Sequence, residues 1–585
     1  MYSFDLKTYL KKFKEIKNIE NEDQISIAIL SSSTINQFEM FLSVELFNHS
    51  IYSKFYIPGF NQFEIEIFDE KSKLYSSKPQ MIFFLLPIED LVGRLTFKSE
   101  NNSILKRFDE FYLKLIKYIE QLSQKTNADI IFSNFLYPQY ICQPIADFQS
   151  KNGVLETINN LNHNIKDLTN EYKNFHIFNF FGASNDFGLI NVYENKMYYF
   201  ASIRFKVDFL SYSAFKLGQQ IKSMIKTRKK CLILDLDNTL WGGIIGEDGL
   251  SGIKLGNNYP GNVYRDIQLI IKEILSSGVL LAINSKNNYS DVKQVFSDHP
   301  NMKLKLEDFS IIKANWKSKY ENMIEISKEL NIGLDSLVFI DDNPIEIGEI
   351  NHLLPEVTTV QFEKDNPLYN LETMQNLDFF YSIFLTSEDL LKTQQYKEQV
   401  KRKNLEKNFS SIDKYYQSLE IVISVLKINE FFVPRISQLT QKTNQFNLTT
   451  KRYSENQIRR MMDDDRILIY CLNVRDKVGD YGNVGVFIGK LKENTLTIDT
   501  FLLSCRVIGR GIEKAFLHFI LEEINNEDVK LVYGSYIKTQ KNSLVKNFYD
   551  NVKFNKISEN RWEVSTPFSI DLPSWITINN DIPKM

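Results

Sequence analysis

Two aspartates follow an apolar run in the segment CLILDLDNT, at residues 231–239. Such a run predicts a buried strand, and open α/β sheets bind ligands at the carboxyl ends of their strands. Alternation along an extended chain places Asp235 and Asp237 on one side of the segment. Neighbouring carboxylates repel each other unless one is protonated or a cation lies between them, and Mg²⁺ prefers such oxygen ligands. The pair therefore predicts phosphoryl chemistry, in which one carboxylate attacks phosphorus and the other transfers a proton.

Three further segments follow in an order that suits the same chemistry. Ser285 ends the run VLLAINS and can donate a hydrogen bond to a phosphate oxygen. Lys317 and Lys319 lie at the start of a predicted helix in NWKSKYENM, where a fixed positive charge stabilises a phosphoryl transition state. Asp341 and Asp342 end the run SLVFIDD and can complete a metal site. Singly, each segment is also typical of a turn, a helix cap or a solvated charge, but together they indicate a phosphoryl-handling site.

The intervals between these segments predict an open site. Each interval, from Asp235 to Ser285 and on to Lys319, holds little more than a strand–helix unit and a short hairpin. This leaves no room for a large cap domain, so a bulky substrate has access. The glycine-rich loop at 241–249 predicts a small flap, in which Trp241 either covers the edge of the site or packs in the core.

The rest of the chain predicts an α/β protein with three domains. Apolar runs at 24–30, 81–87, 129–136 and 175–181 alternate with amphipathic stretches such as 104–124 and 154–173, which is typical of a parallel sheet with helices on both faces. A second alternating block starts at 231, and from about 419 the pattern changes to β-hairpins, a helix and further strands. The predicted parts are an N-terminal domain, a central catalytic domain, a helical connector and a C-terminal domain, at 1–225, 226–365, 366–418 and 419–585.

Composition excludes several classes of function. The 70 Lys and Arg residues nearly balance the 73 Asp and Glu residues, giving a formal charge of −3 and no general attraction to nucleic acid or anionic membranes. The four cysteines, Cys142, Cys231, Cys471 and Cys505, are too widely spaced for a disulfide framework or a zinc knuckle. The chain has no apolar signal core and no apolar stretch that would cross a bilayer. These features predict a cytoplasmic protein without nucleic-acid or membrane partners.

Four motifs, LDLDNTLWGGIIGEDG, NSKNN, ANWKSKYENM and VFIDDNPIE, together resemble the FkbH-like branch of the capless haloacid-dehalogenase (HAD) proteins. The resemblance implies a Rossmann-like HAD domain with Asp235 as nucleophile and Asp237 as general acid and base. It implies Mg²⁺ as cofactor, held by Asp235, the backbone carbonyl of Asp237, and Asp341 or Asp342. It also implies a set of phosphate-binding residues: Thr239, Ser285 and Lys319. Lys319 matches the family's lysine position better than Lys317 does.

The resemblance also implies a reaction and a partner. FkbH-like proteins take a glyceryl unit from 1,3-bisphosphoglycerate, release phosphate, and load the unit onto the phosphopantetheine thiol of an acyl carrier protein. Some members carry a cysteine immediately before the serine of the second motif, whereas this chain has Asn284. Two alternatives are therefore kept: a Mg²⁺-dependent phosphatase acting on a small phosphorylated metabolite or phosphosugar, and a non-catalytic adaptor for a carrier protein.

The C-terminal third resembles the acyltransferase-like (GNAT-like, α+β) domain of the same family through GDYGNVGVF, FLLSCRVIGRGIE and KTQKNSLVKNFYDNVKF. The resemblance implies a loop for coenzyme A or phosphopantetheine, formed by Arg506, Gly509, Arg510 and Gly511 before a helix. Cys505 and Tyr549 are candidates for acyl transfer, although Cys505 is also typical of a buried small apolar residue. Lys553 replaces the usual glycine, so both an active acyltransferase and a degenerate fold kept for docking are possible.

The N-terminal domain resembles the SGNH hydrolases, in which a loop after the first strand carries the nucleophile. Here the corresponding segment is LSSSTINQF, without the G-D-S sequence, and no D-x-x-H follows in the domain. We expect Ser31, Ser32 and Ser33 to be hydrogen-bonding loop residues, and His176 lies in an apolar strand-like run. The prediction is an SGNH-like scaffold without hydrolase activity.

Overall fold

The computed structural model describes residues 4–17, 19, 23–93, 101–385, 398, 402, 405–406, 408–525 and 529–579. The chain forms two compact units, Met1–Lys226 and Thr227–Met585. Within the described residues, every helix is too short or too polar to cross a membrane. Most of residues 386–408, in the middle of the predicted helical connector at 366–418, lies outside the described residues.

The first unit contains a five-stranded parallel sheet in the order β2-β1-β3-β4-β5. Its strands are β1 Ile25–Ser31, β2 Ser53–Tyr56, β3 Met81–Leu85, β4 Asp129–Ser133 and β5 Phe175–Phe178. The four strands predicted from apolar runs are confirmed, whereas β2 was not predicted because this edge strand lacks an apolar run. The helices are Leu6–Lys17, Asn36–Asn48, Phe63–Phe68, Lys73–Ser76, Ile88–Val92, Asn101–Lys125, Pro144–Gln149, Val154–Glu171, Phe180–Phe187, Asn195–Ala201 and Val207–Ile225.

Strand β1 shows why this sheet is covered on both faces. Ile27 and Ile29 belong to one hydrophobic cluster, and Ala28 and Leu30 belong to another. Successive side chains of a strand point to opposite faces, so an uninterrupted apolar run buries both. The outcome is the predicted sheet with helices on each side.

The central domain, at the start of the second unit, has a parallel sheet in the order β10-β9-β6-β7-β8. Its strands are β6 Cys231–Leu234, β7 Leu280–Ser285, β8 Phe309–Ala314, β9 Leu337–Asp341 and β10 Thr358–Gln361. Its helices are Ile245–Gly252, Gly261–Ser276, Tyr289–Asp298, Lys319–Leu330, Pro344–Leu353 and Pro367–Gln375. The hydrophobic core includes Met374, Leu377 and Phe380. The domain therefore extends beyond the predicted boundary at 365, because its last helix packs on the core and does not form a connector.

The C-terminal domain has a mixed sheet in the order β17-β18-β16-β15-β14-β13-β11-β19. Its strands are β11 Ile421–Lys427, β12 Phe446–Asn447, β13 Ile467–Asp476, β14 Gly479–Lys492, β15 Thr495–Leu503, β16 Leu531–Ser535, β17 Asn555–Ser558, β18 Arg561–Ser565 and β19 Ile576–Asn579. Its helices are Ile412–Leu419, Val433–Lys442, Glu455–Met462, Ile512–Asn525 and Phe548–Asn551. The antiparallel hairpins and the helical crossover between the parallel strands β15 and β16 confirm the predicted α+β class.

A buried ion pair fixes Arg402, one of the described residues of the predicted connector, to this domain. Arg402 is 1% exposed, and its Nε and Nη2 donate to the two carboxylate oxygens of Asp476 at 2.8 and 2.7 Å. The guanidinium also lies 3.9 Å from the ring centroid of Tyr481. Tyr415 Oη donates to the backbone carbonyl of Arg402 at 3.0 Å. Arg402 is therefore part of the domain's core.

We expect Arg402→Met to lower the unfolding free energy of the C-terminal domain by about 3 kcal/mol, because Asp476 would keep a buried charge without its counter-ion. Native-state hydrogen exchange of the β13 amides measures this change. Lys553→Ala is the matched control, since Lys553 and Asp571 form a pair whose side chains are 75% and 94% exposed. The control should cost less than about 0.5 kcal/mol. Equal effects of the two substitutions would contradict a structural role for the buried pair.

Candidate active site

The predicted motifs meet at the carboxyl edge of the central sheet. Strand β6 lies between β9 and β7, so Asp235, which follows β6, is adjacent to Asp341 at the end of β9 and Ser285 at the end of β7. The amide of Asp235 donates to the carbonyl of Ile340 at 3.0 Å, which continues the sheet as far as the site. Parallel pairing therefore assembles groups that lie far apart in sequence.

Lys319 is the cation of this site. Its Nζ lies 3.0 Å from Asp235 Oδ1 and 2.6 Å from Asp341 Oδ2, and its side chain is 5% exposed. Burial acts against the charged ammonium, but the carboxylates of Asp235 and Asp341 outweigh it and raise the pKa of Lys319. Lys317 is 59% exposed and pairs with Glu325. Of the two candidate lysines, the structure places only Lys319 beside Asp235.

Three carboxylates surround a position suited to a metal ion. Asp235, Asp341 and Asp342 each offer an oxygen, and these atoms lie within 4.8 Å of one another. Burial, followed by the charge of Asp235, raises the pKa of Asp341 to about 7 even though Lys319 opposes the shift. Burial and Asp235 also raise the pKa of Asp342. One lysine leaves an excess of negative charge, and this set of hard oxygen donors fits Mg²⁺.

Asp237 is held by three donors and lies outside this carboxylate group. Its Oδ1 accepts from Trp241 Nε1 at 2.9 Å and from the amide of Ile245 at 3.0 Å, and its Oδ2 accepts from Asn287 Nδ2 at 3.0 Å. Burial is the main cause that raises the pKa of Asp237. A raised pKa suits a group that gives up and regains a proton. The metal ligand predicted at this residue is its backbone carbonyl, which stays a prediction.

Asn287 belongs to the site, although sequence reasoning missed it. The side chain is 5% exposed and donates both to Asp237 and to Ser285 Oγ, the latter at 3.1 Å. The available signal was its place in NSKNN, two residues after Ser285. An asparagine in a turn after a strand is too common to identify from one sequence.

The flap is a fixed loop with Trp241 inside the core. Trp241 is fully buried and packs edge-on against Phe296, with ring centroids 6.2 Å apart. The next residue, Gly242, pairs with Lys254 through two backbone hydrogen bonds of 3.1 and 2.7 Å. Gly243 has a φ of +95°, a backbone conformation that favours glycine. Of the two predicted roles, the core role is the observed one, and the indole N–H supplies a donor to Asp237.

Thr239 and Asn284, on either side of the site, have different surroundings. Thr239 is fully buried, and its hydroxyl has no hydrogen-bond partner among the described residues, which suits the predicted phosphate contact. Asn284 is also fully buried, but its Nδ2 donates to the carbonyl of Lys319 at 2.8 Å and its Oδ1 accepts from Asn322 at 3.1 Å. Asn284 therefore anchors the helix that carries Lys319.

Three of the four residues of the predicted cofactor loop, Gly509, Arg510 and Gly511, line a cavity of about 370 Å³ together with Tyr416, Lys514 and Trp575. Tyr416 Oη donates to the carbonyl of Gly509 at 3.0 Å, and Trp575 Nε1 donates to the carbonyl of Arg510 at 2.9 Å. The Oη of Tyr481 binds the guanidinium of Arg510. Gly511 has a φ of +80°, and a Cβ there would lie 2.7 Å from Pro573. Arg506, the other predicted loop residue, is 7% exposed.

Neither acyl-transfer candidate is among the described residues that line this cavity. Tyr549 is buried in the core, with its ring centroid 5.5 Å from that of Trp562. Cys505 faces the central domain, where its carbonyl accepts from Asn331 Nδ2 at 3.2 Å. Because the cavity and these two side chains lie apart, the structure gives no support to an acyl-transfer centre built from them.

The N-terminal serines form a hydrogen-bonded loop, as expected. Ser32 and Ser33 donate to Asp90 Oδ2 at 2.9 and 3.0 Å, and Arg204 binds the other oxygen of Asp90. Ser31 Oγ accepts from the amide of Ser33 at 3.1 Å. The carboxylate of Asp90 thus contacts both serines and Arg204, and this network holds the loop in place.

Comparisons with known proteins agree with this geometry. Residues 26–221 match the family model described as the N-terminal domain of FkbH. A HAD-like hydrolase superfamily protein of Schizosaccharomyces pombe is 29% identical over 163 residues, covering 25% of this chain and 93% of that protein. The crystal structure of the N-terminal part of the Bacteroides fragilis protein BF1531, with a phosphatase domain complexed with Mg, is 26% identical, with a TM-score of 0.57, and covers 66% of this chain and 100% of that one.

A further match in the C-terminal region is the ribosomal-protein-S18-alanine N-acetyltransferase of Escherichia coli. It is 13% identical, with a TM-score of 0.20, and covers 26% of this chain and 96% of that one.

The fold and the carboxylate site define the central domain as one of the HAD superfamily of hydrolases. The matching N-terminal domain and the similarity to a HAD phosphatase domain support an FkbH-like family within that superfamily. The predicted family is thus confirmed.

We expect Mg²⁺ to raise the melting temperature of the protein, because an ion that binds only the folded state stabilises it. Asp342→Asn should weaken Mg²⁺ binding by at least about tenfold. A loss of this size is typical even when the residue removed only hydrogen-bonds to a metal ligand. Isothermal titration calorimetry measures the affinity, and Asp298→Asn, at the exposed end of helix Tyr289–Asp298, is the matched control. Unchanged affinity in Asp342→Asn would contradict the assigned site.

Proposed function

We propose that the protein is a Mg²⁺-dependent phosphohydrolase whose nucleophile is Asp235. The observation that carries the proposal is the buried set of Lys319, Asp235 and Asp341, in which one ammonium contacts two carboxylates. Keeping these charges out of water costs several kcal/mol per ion, so a fold does not retain them for packing alone. The similarity to a HAD phosphatase domain supports the same chemistry.

The reaction follows from the positions of the side chains. An oxygen of Asp235 attacks phosphorus, the bond from phosphorus to the leaving oxygen breaks, and Asp237 gives its proton to that oxygen. Water then attacks the aspartyl phosphate, its proton returns to Asp237, and phosphate leaves. Ser285 and Lys319 bind the oxygens of the transferred group. A Mg²⁺ ion held by Asp235, Asp341 and Asp342 would neutralise charge on the phosphoryl group.

The finer proposal is that the donor is an acyl phosphate of three carbons, 1,3-bisphosphoglycerate, and that the glyceryl group passes to the phosphopantetheine thiol of an acyl carrier protein. Two observations favour this second activity. The chain has the FkbH-type N-terminal domain. The site also has an open rim, on which Trp316 is 71% exposed and hydrogen-bonded to Asn288, so a group carried by another protein has access.

Asn284 bears on the route of this transfer. Its side chain binds the carbonyl of Lys319 and the amide of Asn322 and supplies no thiol, so the carrier's thiol would attack the carbonyl carbon of the acyl phosphate directly. The bond from that carbon to the phosphate oxygen would break, and phosphate would leave with the proton of the thiol. The packing of the C-terminal domain favours docking over a second acyltransferase centre. There β12 pairs with the end of β15 on one side. On the other side, the amide of Ile537, just after β16, donates to the carbonyl of Leu448, just after β12, at 2.8 Å. The segment of β12 and Leu448 therefore fills the space between the ends of β15 and β16.

A non-catalytic adaptor is the weaker interpretation. Nothing in carrier docking requires a buried lysine between two aspartates, or a second aspartate fixed by three donors. Such arrangements are unfavourable for stability and are typical of catalytic sites.

We expect Asp235→Asn and Lys319→Met to abolish Mg²⁺-dependent release of phosphate from p-nitrophenyl phosphate or acetyl phosphate, with kcat falling by at least about 10³-fold, because each removes a charge required in the transition state. Colorimetric phosphate release measures the rate. Lys317→Met is the matched control, two residues away on the surface, and should retain most activity. Equal losses in Lys317→Met and Lys319→Met would contradict the assignment.

For the finer proposal, we expect intact-mass spectrometry to show a glyceryl gain on a holo-acyl carrier protein. The reaction would contain the wild-type protein, Mg²⁺ and 1,3-bisphosphoglycerate generated in situ. Asp235→Asn should show no gain. Phosphate release that depends on Asp235 without any change in the carrier's mass would leave the phosphatase and reject the glyceryl transfer.

A further inference from the structure

The side chain of Asn287 connects two groups of the site that have separate tasks. One amide nitrogen donates to Asp237 Oδ2 at 3.0 Å and to Ser285 Oγ at 3.1 Å. Nδ2 has two hydrogens, so both are used. Asn287 is 5% exposed and lies in the turn between β7 and helix Tyr289–Asp298. Its neighbour Asn288 instead binds Asp291 and Trp316, at the rim.

The hydrogen bonds of Asp237 distinguish its two oxygens. Oδ1 receives two donors, the indole N–H of Trp241 and the amide of Ile245. Among the described residues, Oδ2 receives one donor, the amide of Asn287. A carboxylate oxygen has two lone pairs, so Oδ1 is saturated and Oδ2 keeps one pair free for a proton. Oδ2 is therefore the oxygen that can carry the transferable proton.

The same amide fixes the role of Ser285. Because Ser285 Oγ accepts from Asn287, its own O–H is left to donate elsewhere. The side chain is 1% exposed at the end of β7, beside Asp235, where the transferred phosphoryl group would lie. Asn287 thus holds Asp237, which carries the proton, at a fixed distance from Ser285, which donates a hydrogen bond to the phosphoryl group.

We infer that Asn287 is a positioning residue for proton transfer, which places Asp237 Oδ2 against the leaving oxygen while it keeps Ser285 directed at the phosphoryl group. This inference rests on the proposed phosphohydrolase function. In the first step, the bond between phosphorus and the leaving oxygen breaks, the Asp235–phosphorus bond forms, and the proton on Asp237 Oδ2 moves to the leaving oxygen. Without Asn287, Asp237 keeps both hydrogen bonds to Oδ1 but loses the hydrogen bond to Oδ2.

The dependence on the leaving group tests this role. The nitrophenolate of p-nitrophenyl phosphate is a good leaving group and departs without a proton. The phenolate of phenyl phosphate is a poorer leaving group and needs protonation more, so only its departure depends strongly on a well-placed acid. We expect Asn287→Ala to lower kcat/KM for phenyl phosphate by about 10-fold to 100-fold and that for p-nitrophenyl phosphate by less than about fivefold. The ratio kcat/KM is the appropriate quantity because it covers the steps up to departure of the leaving group.

Asn288→Ala is the matched control, and it should leave the ratio of the two kcat/KM values unchanged. Activity on p-nitrophenyl phosphate shows directly that each variant is folded. Equal losses on the two substrates in Asn287→Ala, or no loss on either, would overturn the inference while the phosphohydrolase function stands. A wild-type protein that releases phosphate from neither substrate would refute the proposed function, and the inference with it.

Discussion

The ion contacts of Lys319 with Asp235 and Asp341 are the constraint on which the rest of the central domain depends. A buried ammonium is stable only if its partners are fixed, because misplacement by about 1 Å loses about a quarter of the Coulomb attraction that offsets its dehydration. The fold meets this requirement by placing the two aspartates at the ends of adjacent strands and the lysine in the first turn of a helix. The excess negative charge that remains suits a bound cation.

Neutral amides position these charges. Asn284 ties the helix of Lys319 to β7, Asn287 ties Asp237 to Ser285, and Asn238 accepts from the amide of Gly243 at 2.9 Å to hold the flap. An asparagine both donates and accepts without adding charge, so it fixes geometry and leaves the electrostatic balance of the carboxylates unchanged. This explains why polar side chains that look unremarkable in the sequence lie fully buried around the site.

In the two flanking domains, several side chains singled out from the sequence take part in structural contacts. In the N-terminal domain, Ser32 and Ser33 bind a carboxylate that is already paired with Arg204. In the C-terminal domain, Tyr549 is part of the core, and the cofactor-like loop is capped by Tyr416 and Trp575. The contact between Cys505 and Asn331 connects the central domain to its C-terminal neighbour.

By itself, the sequence determined the α/β class and the strands that lead to Asp235, Ser285 and Asp341. Apolar runs and strand-end carboxylates are local properties, so they are visible without coordinates. Only the tertiary structure decided between Lys317 and Lys319, which lie two residues apart but point to solvent and to the site respectively. It likewise revealed the role of Asn287, and it separated Cys505 and Tyr549 from the cofactor-like loop, because these outcomes depend on contacts between elements that are distant in the chain.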